Sequence, residues 1–149
     1  KKAIEIGVND LINIHGEGFL FMIDLDNFKH VNDTYGHGEG DLLLIRIAKM
    51  LRGIFREHDP VARVGGDEFI AFMSDTHNPE SAILKVSMIF EKLDQISRES
   101  GYDVAASIGI AACPEDGRDF RNLYEAADQA MYQAKKAGKH GYAFTRYER

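Results

Sequence analysis

The sequence predicts a chain of the α/β (α+β) class, a mixed sheet of about five strands flanked by helices, and three features carry that prediction. Apolar spacing alternates between helical and strand periods in the order α-β-α-α-β-β-α-β-α-β. Gly65-Gly66 lies between the apolar runs Val61 to Val64 and Phe69 to Met73, which reads as one central hairpin with glycine supplying a positive φ. The run Phe19 to Ile23 is apolar throughout, as expected of a central strand covered on both faces.

Taken in order, Ala3 to His15 places Ile4, Val8, Leu11 and Ile12 at helical spacing before Gly16 and Gly18 stop it. The first strand ends in Asp24-Leu25-Asp26, at the edge where sheets of this class place ligands. Asn27 is a candidate N-cap for a short helix through about Asp33, and Gly36, Gly38 and Gly40 then read as a loop. Leu43, Ile47, Met50, Leu51 and Ile54 trace a longer helix, and the hairpin follows. Asn78-Pro79-Glu80-Ser81 opens a further helix that Gly101 ends, and Val104 to Cys113 is a strand whose Gly109 implies close packing. Asp119 caps a helix running to Ala137 with Gly138 as its stop, and Tyr142 to Thr145 is the last strand. Split βαβ units around one hairpin make the sheet ferredoxin-like, the arrangement also found in polymerase palms.

A chain of 149 residues is expected to be a single domain, 1–149, that buries about two-thirds of its unfolded surface. Its net charge of −6 argues against a duplex nucleic-acid surface. The lone Cys113 fits a reducing cytoplasm, and the sequence shows no signal peptide and no membrane-length apolar run. Opening at Lys1-Lys2 without Met is expected of a domain excised from a longer protein, through which the whole could be membrane-anchored.

Asp24 at the first strand end and Asp67 at the hairpin can meet at one sheet edge, with Asp26 or Glu68 nearby, and hard carboxylate oxygens there suit Mg²⁺. The alternative is that Asp24 and Asp26 cap a helix and that Asp67 and Glu68 are a solvated turn. The amides of Asn27, Phe28 and Lys29 point from a helix N-terminus, which favours a phosphate anion. Lys135 and Lys139 flank the last helix stop, where they either meet phosphate or complement the helix dipole. Asn32 and Asp41 bracket the glycines, and Asp41 either caps the long helix or reads the donor edge of a guanine.

Three segments resemble a GGDEF-domain diguanylate cyclase: Asp24-Leu25-Asp26-Asn27-Phe28-Lys29-His30-Val31-Asn32-Asp33-Thr34-Tyr35-Gly36-His37 with Gly40-Asp41, Arg63-Val64-Gly65-Gly66-Asp67-Glu68-Phe69, and Ala127-Asp128-Gln129-Ala130-Met131-Tyr132-Gln133-Ala134-Lys135. The resemblance implies condensation of two GTP into cyclic di-GMP with release of pyrophosphate, across a homodimer. It implies Mg²⁺, with Mn²⁺ as a substitute, at Asp24, the Leu25 carbonyl and Asp67, with Asp67 helping deprotonate the ribose 3′-hydroxyl and Glu68 in support. It places Asn32 and Asp41 on guanine, and Lys135 and Lys139 on the β- and γ-phosphates. It also assigns Arg56-Glu57-His58-Asp59 to an RxxD product-inhibition site, and implies an upstream sensor domain as partner. The family's Asp-x-Leu-Thr-Gly-Leu-x-Asn entry string is absent from these residues, and Lys139-His140 stands where the family more often has Arg-Asn. The alternative is a non-catalytic domain that binds cyclic di-GMP or GTP as a regulatory ligand.

Overall fold

The computed structural model describes residues 2–145. Helices and strands follow the predicted order: α1 (Lys2–His15), β1 (Gly18–Asp26), α2 (Phe28–Tyr35), α3 (His37–Ile54), β2 (Val61–Gly65), β3 (Glu68–Ser74), α4 (Pro79–Ser100), β4 (Ala105–Cys113), α5 (Phe120–Lys136) and β5 (Tyr142–Phe144). The five strands form one sheet in the order β2-β3-β1-β4-β5. β1 is central and runs antiparallel to both β3 and β4, while β5 lies parallel to β4. With α3 and α4 as crossovers, the first four strands make the interlocked βαβ units of a ferredoxin-like sheet.

Strand alternation divides the core between the two faces. Phe19, Phe21, Ile23 and Leu25 join the cluster that contains Leu43, Ile47 and Leu51 of α3 and Val86, Ile89 and Leu93 of α4. Leu20 and Met22 point the other way, into the cluster formed with Ile4, Val8 and Ile12 of α1 and Leu123, Ala127 and Met131 of α5. Each such side chain taken fully out of water contributes roughly 1.5–3 kcal/mol, so β1 is held from both sides. Gly109 is the close approach its place in the strand predicts. A Cβ there would fall 2.0 Å from the Ala127 carbonyl oxygen and 2.2 Å from Met131 N, which only a missing side chain allows.

The cap predicted at Asp119 holds, and α4 starts and stops where expected. Asn78 accepts from Glu80 N–H and Asp119 from Asn122 N–H, and Gly101 ends α4 at φ 86°.

Three local expectations are revised. Gly36, Gly38 and Gly40 do not form a loop, because α3 begins at His37 and its first turns pack on α2. Only Gly36 of the three has a positive φ, at 93°. Asp41 therefore lies inside α3 and does not cap it. Asn27 occupies the N-cap position of α2, but at φ 60° and with no side-chain hydrogen bond to the helix. In the hairpin, Gly65 pairs with Glu68, so Gly66 and Asp67 make the turn, and neither Gly65 nor Gly66 is in the left-handed region. Crowding does not explain Gly66 either, since a Cβ on it would meet nothing within 4 Å.

Candidate functional site

The register of the sheet builds the site. Asp24 stands opposite Glu68 on β3 and Ser107 on β4, at the carboxyl edge of β1. The hairpin turn closes over that edge, with Leu25 N–H donating to the Asp67 carbonyl at 3.1 Å. Arg63 fixes the turn itself, its Nη1 donating to the Gly66 carbonyl at 2.8 Å. The hairpin tip is thus docked, and Asp67 and Glu68 are half-buried.

Asp24 is the most strained group there. Burial, then the charge of neighbouring Asp67, pushes its carboxyl up to about 6 against the opposing pull of Lys135. Its Oδ1 is buried with no hydrogen-bond partner, whereas Oδ2 lies 3.2 Å from Lys135 Nζ. An orphaned buried carboxylate oxygen is costly, and a hard cation bound there would relieve it. The crowded carboxylates of Asp24 and Asp67 are the oxygen donors this edge could offer a divalent ion. Among the described residues there is no group of three or more His, Cys, Asp or Glu side chains arranged for a metal. A cation on this edge would keep positions for water and phosphate, as Mg²⁺ sites that act on nucleotides do.

Asp26 behaves differently from its neighbour. Its carboxylate is 1% exposed and fully engaged: Oδ1 accepts from Ser107 Oγ at 2.9 Å and Lys135 Nζ at 3.1 Å, and Oδ2 accepts from His140 N–H at 2.8 Å. It is neither a helix cap nor an open metal ligand. Lys135, in the last turn of α5, bridges Asp24 and Asp26. Burial lowers its pKa, but the hydrogen bond to Asp26 and the charge of Asp24 outweigh this and leave it above the ordinary lysine value. Its ammonium is turned into the site and not toward the helix carbonyls.

Around this edge lie the other predicted residues. The first intrahelical donors of α2, His30 and Val31, reach the Asn27 carbonyl at 3.0 and 3.3 Å, so the amides of Phe28 and Lys29 precede them at an end that no side chain caps. The Lys29 ammonium is occupied elsewhere, paired with Asp33 at 2.9 Å on the surface. Gly138, Lys139 and His140 take φ of 127°, 65° and 45° in succession, a turn that leaves Lys139 exposed. Asn32 is set against Gly40, where a Cβ would fall 1.8 Å from its Oδ1, and so beside the residue preceding Asp41. Asp41 lines a cavity of about 580 Å³ with Leu44, Val61, Arg63 and Phe69, between α3 and the hairpin.

The RxxD residues lie at the far end of the sheet. Asp59 is buried, accepting from Arg56 Nε at 2.8 Å, from Ser74 Oγ at 2.9 Å and from Ser74 N–H at 3.2 Å. Arg56 also donates to the Ser74 carbonyl. The two line a hollow of about 450 Å³ with Arg52, Glu57, Pro60 and Val61.

Sequence reading did not single out Ser107, the His140 amide or Arg63. Ser107 and the His140 amide meet Asp26 only through the tertiary fold, whereas Arg63 carried a signal in its position three residues before the turn carbonyl it holds.

The GGDEF family, described as "Diguanylate cyclase, GGDEF domain", matches residues 1–141. The bifunctional diguanylate cyclase/cyclic di-GMP phosphodiesterase MucR of Pseudomonas aeruginosa is 45% identical over 127 residues, covering 84% of this chain and 18% of that protein. The chain spans between about a fifth and a third of the length of the curated relatives it matches. Among solved structures, the fragment of TpbB (YfiN) from Pseudomonas aeruginosa that comprises only its GGDEF domain aligns with a TM-score of 0.84 at 31% identity, covering 97% of this chain and 86% of that one. The active GGEEF domain of a diguanylate cyclase from Vibrio cholerae aligns with a TM-score of 0.82 at 27% identity, covering 97% and 93% respectively. The five-stranded mixed sheet flanked by helices agrees with these matches, and the chain belongs to the GGDEF-domain family of diguanylate cyclases.

Proposed function

We propose that this domain condenses two GTP molecules into cyclic di-GMP, releasing pyrophosphate at each of two steps. The observation that carries the reading is the crowded pair Asp24 and Asp67 at the edge of β1, one oxygen of which is buried and unpartnered. A bound Mg²⁺, or Mn²⁺ in its place, would be held by Asp24, Asp67 and the Leu25 carbonyl and would supply positive charge to the transferred phosphoryl group.

The chain's own residues bind and orient. Asn32 and Asp41 read the guanine, the amides of Asn27, Phe28 and Lys29 meet phosphate oxygens at the uncapped start of α2, and Lys135 and Lys139 neutralise the β- and γ-phosphates. Asp67 accepts the proton of a ribose 3′-hydroxyl with Glu68 in support. The 3′-oxygen then bonds to the α-phosphorus of the other GTP as the bond to the bridging oxygen breaks and pyrophosphate leaves. Because each domain holds one GTP, two domains must face one another, and the working enzyme is a homodimer. Arg56 and Asp59 form an inhibitory site for the product, Arg56 offering a guanidinium to its phosphate. An upstream sensor domain brings two copies together, in the cytoplasm where GTP is available.

The test is incubation of an artificially dimerised form with GTP and Mg²⁺, with ATP in parallel, and chromatographic separation of the nucleotides. Cyclic di-GMP from GTP alone is expected. Tight binding of GTP or cyclic di-GMP without turnover would contradict the reading in favour of a regulatory binding domain.

A further inference from the structure

We propose that Asp26 is the positioning residue of the phosphate end of this site, tying together the two segments that carry Lys135 and Lys139. The inference rests on the nucleotide reading above and assigns a function to a carboxylate which that reading leaves unused.

Three donors converge on Asp26, and two come from the phosphate-binding segments. Lys135 reaches it from the last turn of α5, and the His140 amide reaches it from the turn that carries Lys139. The third, Ser107 Oγ on the adjacent strand, holds the carboxylate in place from below. A carboxylate with 1% exposure is costly unless every lone pair is used, so the arrangement is fixed once formed. Ladder bonds already join β1 to β4, so the sheet does not require an acid here.

The turn after α5 explains why an anchor is needed. Lys139 and His140 both sit at positive φ, a conformation unfavourable for non-glycine residues, and the bond from the His140 amide to Asp26 offsets that cost. Lys135 is shared between two acids. Whatever Asp24 engages, Asp26 still holds the ammonium at the edge of β1 instead of releasing it to solvent. The Lys135 ammonium and the backbone of the turn that carries Lys139 are therefore positioned before a triphosphate arrives, which reduces the ordering cost of binding it.

The experiment is a calorimetric titration in Mg²⁺ buffer with two probes: a GTP analogue whose α- and β-phosphates are bridged by methylene, and GMP. The proteins are the parent, Asp26→Asn and Ser107→Ala. Asp26→Asn should bind the triphosphate analogue about tenfold more weakly while GMP affinity stays within about twofold. Ser107→Ala, whose hydroxyl reaches the phosphate segments only through Asp26, should weaken the analogue two- to threefold, roughly, and spare GMP. This variant decides the matter if Asp26→Asn does not fold. A merely structural role predicts that both probes weaken together, and that result, or unchanged analogue affinity in either folded variant, overturns the proposal. A parent protein that binds neither probe overturns the nucleotide reading itself.

Discussion

Two aspartates at opposite ends of the same sheet, Asp59 buried and Asp24 half-buried with one oxygen fully enclosed, have opposite fates. At the Arg56 end, Asp59 has both oxygens in use and closes the chain onto the end of β3. At the carboxyl edge of β1, Asp24 shares one cation with Asp26, crowds a second carboxylate and leaves one oxygen buried without a partner. A satisfied buried acid is part of the fold, whereas an unsatisfied one is maintained by the rest of the core for something that binds. The core here, with β1 covered by helices on both faces, is large enough to maintain it.

The largest effect should come from removing the partner that crowds Asp24. Asp67→Ala should lower cyclic di-GMP formation by a factor on the order of a thousand or more while the melting temperature holds or rises, because a turn carboxylate contributes little to the core. Loss of folding along with activity would erase the distinction between the two ends.

Next comes pH. The folded Asp24 carboxyl titrates at about 6 against an unfolded value of 3.8. The folded state thus keeps a proton over an interval in which the unfolded chain has released it. Stability from this group therefore falls as pH rises through that interval, by about 3 kcal/mol in all. In the absence of divalent cations, the stability gap between parent and Asp24→Asn should be widest above pH 6 and close as pH falls toward 4, as read from urea unfolding midpoints across pH. A gap independent of pH would mean that Asp24 is not frustrated.

Much of this contrast was not legible in the sequence. Element order, the helix start at Asn78-Pro79, the cap at Asp119 and the close approach at Gly109 are local signals, and they read correctly. Gly38 and Gly40 misled: helix α3 includes both, and at Gly40 the reason is close packing on Asn32 and Phe28 of α2, a tertiary demand that local propensity does not contain. The position of Asp24 beside Asp67 follows from strand pairing and was foreseeable. That Asp26 joins Lys135 and His140 was not, since the partners lie 109 and 114 residues away in the chain. The burial of Asp59 was likewise hidden, because Arg and Asp three residues apart at a helix end usually face solvent.

Smaller effects sharpen the other side of the comparison. Ser74→Ala removes one of the donors that satisfy Asp59 and should cost about 1 kcal/mol with catalysis unchanged, measured by denaturant unfolding and initial rates. Arg56→Ala should cost about as little in stability, since its side chain is 44% exposed, and should relieve inhibition by added cyclic di-GMP. Inhibition that persists in Arg56→Ala would leave that end of the sheet a purely structural device.

The most direct test of the central claim is to compare Asp24→Asn and Asp59→Asn side by side by chemical unfolding at pH 7 without divalent cations. Opposite signs are predicted: Asp24→Asn more stable than the parent by about 3 kcal/mol, and Asp59→Asn less stable by about the same amount. Destabilisation of similar size at both positions would contradict the claim, because the edge of β1 would then be as well satisfied as the Arg56 end.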